Sequence, residues 1–418
     1  MKYFILLSIF FLNFPAYAYI DPATGSAFFS LFITIVSFFV AIFYFIIDRF
    51  FLLKGFFCKK KSQTDIIIYS EGKKYWKLFL PILEELDKRK IKTTFYTSSI
   101  DDDCFSKKYE NISCKYIGEN NKAYAKLAFI RSSIVLMTTP GLNVYQLKRS
   151  KHVQCYVHVY HALADCCSYR LFGTDYYDTL LIANTENKKY VRELEKKRNL
   201  PEKELVVVGE VWMDQLKAEI DSFPKIQQDE KTVLLAPTWG KESLLSKFKE
   251  KLINELLLAD YTVIIRPHPQ MKIDDPQLLL MLEKQYKGNK NVIWDYNLSS
   301  IESMLKSSFL ISDFSGIIFE YSFLLHRPVI IINKELNLEQ YDASDLQYLT
   351  WRYTAWSKIG CCIGDNDIKN IPQILKEINT KDIKKSIVET SNQYWEYQGQ
   401  AAKNIADYLE NKLKDIKV

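Results

Sequence analysis

Three short stretches hold the residue types that bind phosphate and move protons. In "SDFSG" (312–316) two serines, an aspartate and a glycine stand where an apolar strand, "SFLI", hands over to a helix-like run. Ser312 and Asp313 are read as N-cap residues of that helix. Ser315 and Gly316 then fall in its first turn, where backbone N–H groups lack partners. Such a terminus holds phosphate through those N–H groups and the helix dipole. The serine hydroxyls add donors, and glycine permits close approach. A plain helix cap needs only one of these residues, so both readings stand for the turn taken alone.

The second stretch is "IIRPHPQ" (264–270). Arg266 and His268 follow a strand, and Pro267 and Pro269 fix the backbone on both sides of the histidine. A guanidinium suits anionic oxygens. "APTWGKES" (236–243) also ends a strand; Thr238 offers a donor to phosphate and Trp239 a surface for a base. The third stretch, "QCYVHVYHALADC" (154–166), offers His158 and His161. A period of two puts neighbouring strand residues on opposite faces. His161, at the strand end, is the cleft candidate, and His158 is expected in the core. Asp165 could orient an imidazole or cap a helix. "DDDC" (101–104) is read as a solvated turn rather than a metal site. No P-loop, H-E-x-x-H motif or nucleophile elbow occurs.

These residues need elements to position them. From residue 65 onward, β-branched runs alternate with amphipathic stretches. "DIIIYS", "TTFYTS", "SIVLMTT", "QCYVHVY", "TLLIAN" and "LVVVG" form one series of strands; "TVLLAP", "YTVIIRP", "NVIWDY", "SSFLIS" and "PVIII" form another. Apolar runs separated by helices imply parallel sheets buried on both faces. The polar stretch 218–231 between the series reads as a hinge. The expected fold is therefore α/β, with two doubly wound Rossmann-like domains over 62–217 and 230–395. The C-terminal stretch, helical over 386–414 and assigned as a helix over 396–418, returns across the hinge. Open α/β sheets bind ligands at the carboxyl ends of their strands, where all the candidate residues fall.

At 418 residues and 48% hydrophobic content the chain can bury two cores. A net charge of +6 is mild for this length; it fits an anionic surface or substrate and does not call for nucleic acid. The eight cysteines form no C-x-x-C pair, which speaks against structural zinc and fits reduced thiols. Residues 1–18 have the layout of a secretory signal, ending in Ala16-Tyr17-Ala18. Residues 28–47 are uncharged, apolar and long enough to span a bilayer. Arg49, Lys54, Lys59, Lys60 and Lys61 follow at once, so this side is expected in the cytoplasm. The expectation is a chain in the inner (cytoplasmic) membrane with its large domain cytoplasmic. It is single-pass, or two-pass if the first apolar run is retained.

"YHA", "APTW", "RPHP" and "SDFSGIIFEY…RPVI" occur in an order and spacing that resembles the CDP-glycerol glycerophosphotransferase family, the teichoic-acid primases and polymerases of GT-B-like fold. The resemblance covers roughly Val153 to Ile332, and the rest of the soluble part more loosely. It implies that His161 is the base on the acceptor hydroxyl and that His268 acts at the donor diphosphate. It also implies that Ser312, Asp313 and Ser315 contact the donor phosphates. This sequence departs from the family pattern at Ala162 (usually glycine), Gly240 (often arginine) and Gly316 (usually serine). The implied donor is CDP-glycerol, with CDP-ribitol or a nucleotide sugar as alternatives. The implied acceptor is a lipid-linked or glycan hydroxyl at a membrane, and no cofactor or metal is called for. Two other readings are a GT-B glycosyltransferase of capsule or lipopolysaccharide synthesis and a non-catalytic membrane scaffold that keeps the fold.

Overall fold

A computed structural model describes residues 34–40, 42–43, 64–165, 168–332, 338–378 and 380–417. Within Thr64–Val418 the strands form two sheets, both wholly parallel. The first contains β1 (Thr64–Ser70), β2 (Thr93–Thr97), β3 (Ile112–Tyr116), β4 (Ser132–Met137), β5 (Val153–Val159), β6 (Thr179–Ile182) and β7 (Glu204–Val207), in the order 3-2-1-4-5-6-7. The second contains β8 (Asp229–Leu235), β9 (Thr262–Ile265), β10 (Val292–Trp294), β11 (Ser307–Ser312), β12 (Val329–Ile332) and β13 (Gly360–Ile363), in the order 10-9-8-11-12-13. Strand order therefore reverses between β1 and β4 in the first sheet and between β8 and β11 in the second. Ligand crevices open at such points.

The central strands are apolar throughout because helices cover both faces. Ile66, Ile67 and Ile68 of β1 and Val233, Leu234 and Leu235 of β8 are all buried. One hydrophobic cluster runs continuously through both sheets, from Tyr69 and Val135 to Leu234, Leu310 and Trp351. Each sheet has a second cluster on its other face. Helix α1 (Trp76–Lys88) shows why a sequence of this kind folds onto the sheet: Trp76, Phe79, Leu83 and Leu86, at helical spacing, are all buried.

Two strands have no counterpart in the sequence series, β3 ("ISCKY") and β13 ("GCCI"). Both are edge strands, half exposed, and lack the apolar run that marks the buried ones. The C-terminal stretch is also not one helix. It is α5 (Thr380–Tyr394) followed by α6 (Ala401–Lys417), with Tyr397 and Gly399 at positive φ between them. Asp214, on α3 (Val211–Ser222), fixes this turn. It accepts from the N–H of Gly399 at 2.7 Å and Ala401 at 3.0 Å, and from Trp395 Nε1 at 3.1 Å. α6 then buries Ile405, Leu409 and Leu413 in the core of the first sheet, and Asp407 pairs with Arg89 at 2.7 Å.

The signal-like segment 1–18 lies outside the described residues, as does most of the apolar run 28–47. Of that run, residues 34–40 and 42–43 are helical, and Phe38, Phe39 and Phe43 are exposed. Among the described residues no helix is long and apolar enough to cross a membrane. "DDDC" is not the solvated turn expected: Asp102 and Cys104 are buried and a short 3-10 helix, Asp103–Ser106, begins there; Asp102 accepts from Cys104 N–H at 3.1 Å and from Thr97 Oγ1 at 2.6 Å, while Asp101 pairs with Lys73.

Candidate active site

At the reversal point of the second sheet, the loops after β8 and β11 are tied together by one carboxylate. Asp313 is buried, and its two oxygens accept from Thr238 N–H at 2.7 Å and Leu244 N–H at 3.0 Å. Ser312, the last residue of β11, donates its hydroxyl to the Ala236 carbonyl at 2.6 Å. Both side chains are thus held by the protein itself. The reading of Ser312 and Asp313 as helix caps is corrected: α4 (Ile317–Leu325) has Gly316 as its N-cap, with no side-chain cap. The strand pairing extends to Ser312 and the Thr238 loop takes the carboxylate, so neither side chain reaches the helix N–H groups.

What remains open at this turn is the backbone itself. Among the described residues no backbone acceptor meets the N–H of Gly316 or Ile317. A Cβ at Gly316 would find nothing within 4 Å, and its φ of −63° is ordinary helical backbone. Here glycine serves open approach and not a strained conformation. Beside it, Thr238 Oγ1 is buried and has no hydrogen-bond partner among the described residues. A buried hydroxyl without a partner is costly, so this atom marks a place where a ligand oxygen is wanted.

The loop after β9 adds His268. Its Nδ1 accepts from Gln270 N–H at 3.1 Å, and its ring lies 6.3 Å from that of the half-exposed Trp239. Burial lowers the His268 pKa, while the Asp313 carboxylate works in the opposite direction. Arg266, expected at the donor phosphates, is engaged elsewhere. It pairs with Asp295 at 2.7 Å and donates to the carbonyls of Leu298 (3.2 Å) and Ser299 (3.3 Å), bracing the neighbouring loop.

In the first sheet, His161 follows β5, beside the reversal point. Two hydroxyls meet its Nδ1: Thr138 Oγ1, just after β4, and Tyr169 OH, each at 3.3 Å. The Tyr75 ring stands 5.3 Å away, and Lys74 Nζ lies 4.7 Å from the centroid of that ring. Burial pushes the His161 pKa down to about 4, and the Lys74 charge adds to the effect. The imidazole is therefore neutral at pH 7. His158 is fully buried among the rings of Tyr160, Tyr169 and Tyr177, as expected of a core residue, and burial pushes its pKa down to about 3. The partners of Asp165 among the described residues are hydroxyls, not an imidazole: the carboxylate accepts from Ser168 Oγ at 2.7 Å and from Thr350 Oγ1, in the segment after β12.

That segment joins the two sheets across the site. Leu171 N–H donates to Gln340 O at 3.0 Å, and Asp342 N–H donates to Tyr169 O at 2.9 Å. Phe172 N–H donates to Asp342 Oδ1 at 2.7 Å. Beneath them, Arg198, at the end of α2 (Asn187–Arg198), pairs with Asp175, Asp342 and Asp345, each at 2.7 Å. Burial pushes the Asp342 carboxyl up to about 6 even so. Trp212 Nε1, on α3, donates to Glu320 on α4 at 2.9 Å. The loop that carries Tyr169, and so touches His161, is bonded directly to the half that carries the "SDFSG" turn.

Each reversal point thus carries its own groups: a neutral histidine at the first and, at the second, donors that have no partner among the described residues. Residues 53–411 match the family model described as CDP-Glycerol:Poly(glycerophosphate) glycerophosphotransferase. The chain belongs to this family. Among solved structures, the wall teichoic acid polymerase TagF is similar at 18% identity, covering 84% of this chain and 89% of that one, with a TM-score of 0.53. A UDP-GlcNAc 2-epimerase from Neisseria meningitidis bound to UDP-GlcNAc is similar at 16% identity, covering 83% and 99%, with a TM-score of 0.51. At such identities these structures share the fold. No curated protein matches the sequence.

As a member of the glycerophosphotransferase family the chain is a transferase-like enzyme, and its candidate residues sort into two groups. His161, His268, Thr238, Trp239, Ser315 and Gly316 lie on the strand-end loops at the two reversal points, whereas Ser312, Asp313 and Arg266 use their side chains to hold those loops. Thr138, Tyr169 and the Lys74–Tyr75 pair were not legible in the sequence. The signal available for Thr138 was its place at the end of a buried strand, in "LMTTPG".

Proposed function

We propose that the protein transfers glycerol phosphate, or a similar polyol phosphate, from a CDP-linked donor to a hydroxyl of a lipid-linked or glycan acceptor in cell-surface polymer synthesis. The 62–217 half takes the acceptor and the 230–395 half the donor. The acceptor hydroxyl attacks the donor's β-phosphorus, the bond to the bridging oxygen breaks, and CMP leaves with the electron pair. His161 takes the hydroxyl proton. His268, the Thr238 hydroxyl, Ser315 and the free N–H groups at Gly316 and Ile317 hold the charge on the phosphate oxygens. Ser312 and Asp313 set the positions of these groups, and Arg266 steadies the loop behind His268. The cation run that follows residues 28–47 supports a membrane anchor with the catalytic half in the cytoplasm, where CDP-linked donors are made available.

The observation that carries this reading is the pairing of a neutral, enclosed His161 with an unpartnered set of donors at the opposite reversal point. His161→Ala is expected to abolish transfer while leaving donor affinity near that of the wild type, because a base acts mainly in the chemical step. Isothermal titration with CDP-glycerol and a CMP-release assay separate the two effects. Lost donor affinity with unaltered turnover at saturation would remove His161 from this role.

A further inference from the structure

Arg352 lies on a short helix, Trp351–Thr354, in the segment that bridges the two halves. It is 9% exposed. Its Nη1 donates to Ser168 Oγ at 3.2 Å, and its guanidinium carbon lies 5.3 Å from the Phe314 ring centroid and 5.4 Å from that of Phe319. Among the described residues no carboxylate pairs with it, and its buried Nε has no hydrogen-bond partner. The other enclosed arginines differ. Arg198 has three aspartates, Arg266 has Asp295, and Arg327 donates to the carbonyls of Met304, Leu305 and Ser307.

The Ser168 hydroxyl in turn donates to Asp165 at 2.7 Å, so the nearest carboxylate is reached only through it; a buried cation with no direct ion pair and an N–H unmade is costly. Two aromatic faces offset part of that cost, but they cannot accept the Nε proton in the guanidinium plane. The group also lies between the "SDFSG" turn and the loop that carries Tyr169. Phe314 is the middle residue of "SDFSG", two positions before the unpartnered N–H of Gly316. Ser168, on the other side, adjoins Tyr169, whose hydroxyl meets His161. Phe314 is further stacked on Tyr353, the next residue after Arg352, at 5.3 Å. The arginine and the turn are therefore packed against each other.

We infer that Arg352 is a diphosphate-binding residue: its guanidinium takes an oxygen of the nucleoside diphosphate and balances the charge that collects on the departing monophosphate. This assignment rests on the proposed transfer from a CDP-linked donor. A guanidinium in this position supplies the fixed positive charge that Arg266, held by Asp295, does not.

The test uses the full-length protein in detergent and measures affinity for cytidine, CDP and CDP-glycerol by titration calorimetry, with thermal unfolding as a second readout. Arg352→Met is expected to weaken CDP and CDP-glycerol by about tenfold or more, to leave cytidine unchanged, and not to lower the unfolding temperature. Arg352→Lys keeps the charge without the fork and is expected to fall between the two. Wild-type affinity for CDP in Arg352→Met would reduce the residue to a clamp on Phe314 and overturn the inference. If the methionine variant does not fold, equal CDP affinity in the lysine variant overturns it instead. CDP binding without transfer from CDP-glycerol would end the transfer reading while leaving Arg352 to be judged on CDP. A wild-type protein that binds neither CDP nor CDP-glycerol ends both.

Discussion

His161 sits where its own positive charge is disfavoured. Enclosure by Thr138, Tyr169 and Tyr75 removes water from the ring, and the Lys74 ammonium opposes protonation further. The acid limb of kcat/KM set by this group is therefore expected near pH 4, well below the usual histidine range. Lys74→Met removes one of the two causes, so the limb should move upward, toward the ordinary value near 6.5. A pH profile of CMP release checks this; a limb that stays in place in the variant would show that Lys74 does not act on the base. The two histidines were legible because residue type and strand-end position coincide at His161 and His268. The hydroxyls that hold His161 were not, because a threonine or tyrosine at a strand end is common and its partner is set only by the fold. Ser312 and Asp313 carried the opposite lesson. Their types suit a helix cap or a phosphate, yet the fold uses one on the Ala236 carbonyl and the other on the Thr238 loop.

At the scale of elements, the turn between β11 and α4 joins a rigid strand to a helix whose first N–H groups are open. Ser315→Ala removes one hydroxyl; loss of a hydrogen bond to a charged oxygen is about 1.5–3 kcal/mol, so donor affinity should fall by about tenfold or somewhat more. Gly316→Val should cost more affinity, since its side chain would project into space that is empty within 4 Å. The same emptiness means that stability should change little. Calorimetry with CDP-glycerol beside thermal unfolding distinguishes the outcomes: normal donor affinity with lost stability would make the turn framework only. The buried strands were legible from their apolar runs. The edge strands β3 and β13 were not, since exposed residues such as Lys115 and Cys362 break such a run. The break between α5 and α6 was equally hidden, because it is set by Asp214, far away in sequence.

Across the whole molecule, the two sheets are held in one arrangement by contacts that no local pattern encodes. Arg198 and its three aspartates, two of them from the segment after β12, form a buried charge cluster between the halves. Arg198→Met would leave those carboxylates buried without their cation, a loss of about 3–5 kcal/mol. Urea unfolding should show that loss. Because the same segment carries Arg352 and bonds to the Tyr169 loop, the variant should also lose transfer rate beyond what its folded fraction explains. Unchanged stability would mean that solvent already reaches the cluster.

The most direct measurement is a donor screen with mass spectrometry of the acceptor. Full-length protein in detergent, given membrane lipid extract or a glycan acceptor, is incubated separately with CDP-glycerol, CDP-ribitol and UDP- or CMP-linked sugars. A CDP-polyol is expected to be consumed, with CMP appearing one-for-one and the acceptor gaining one polyol phosphate per turnover. Consumption of a nucleotide sugar alone, with a glycosyl group and no phosphorus added to the acceptor, would contradict the proposed transfer.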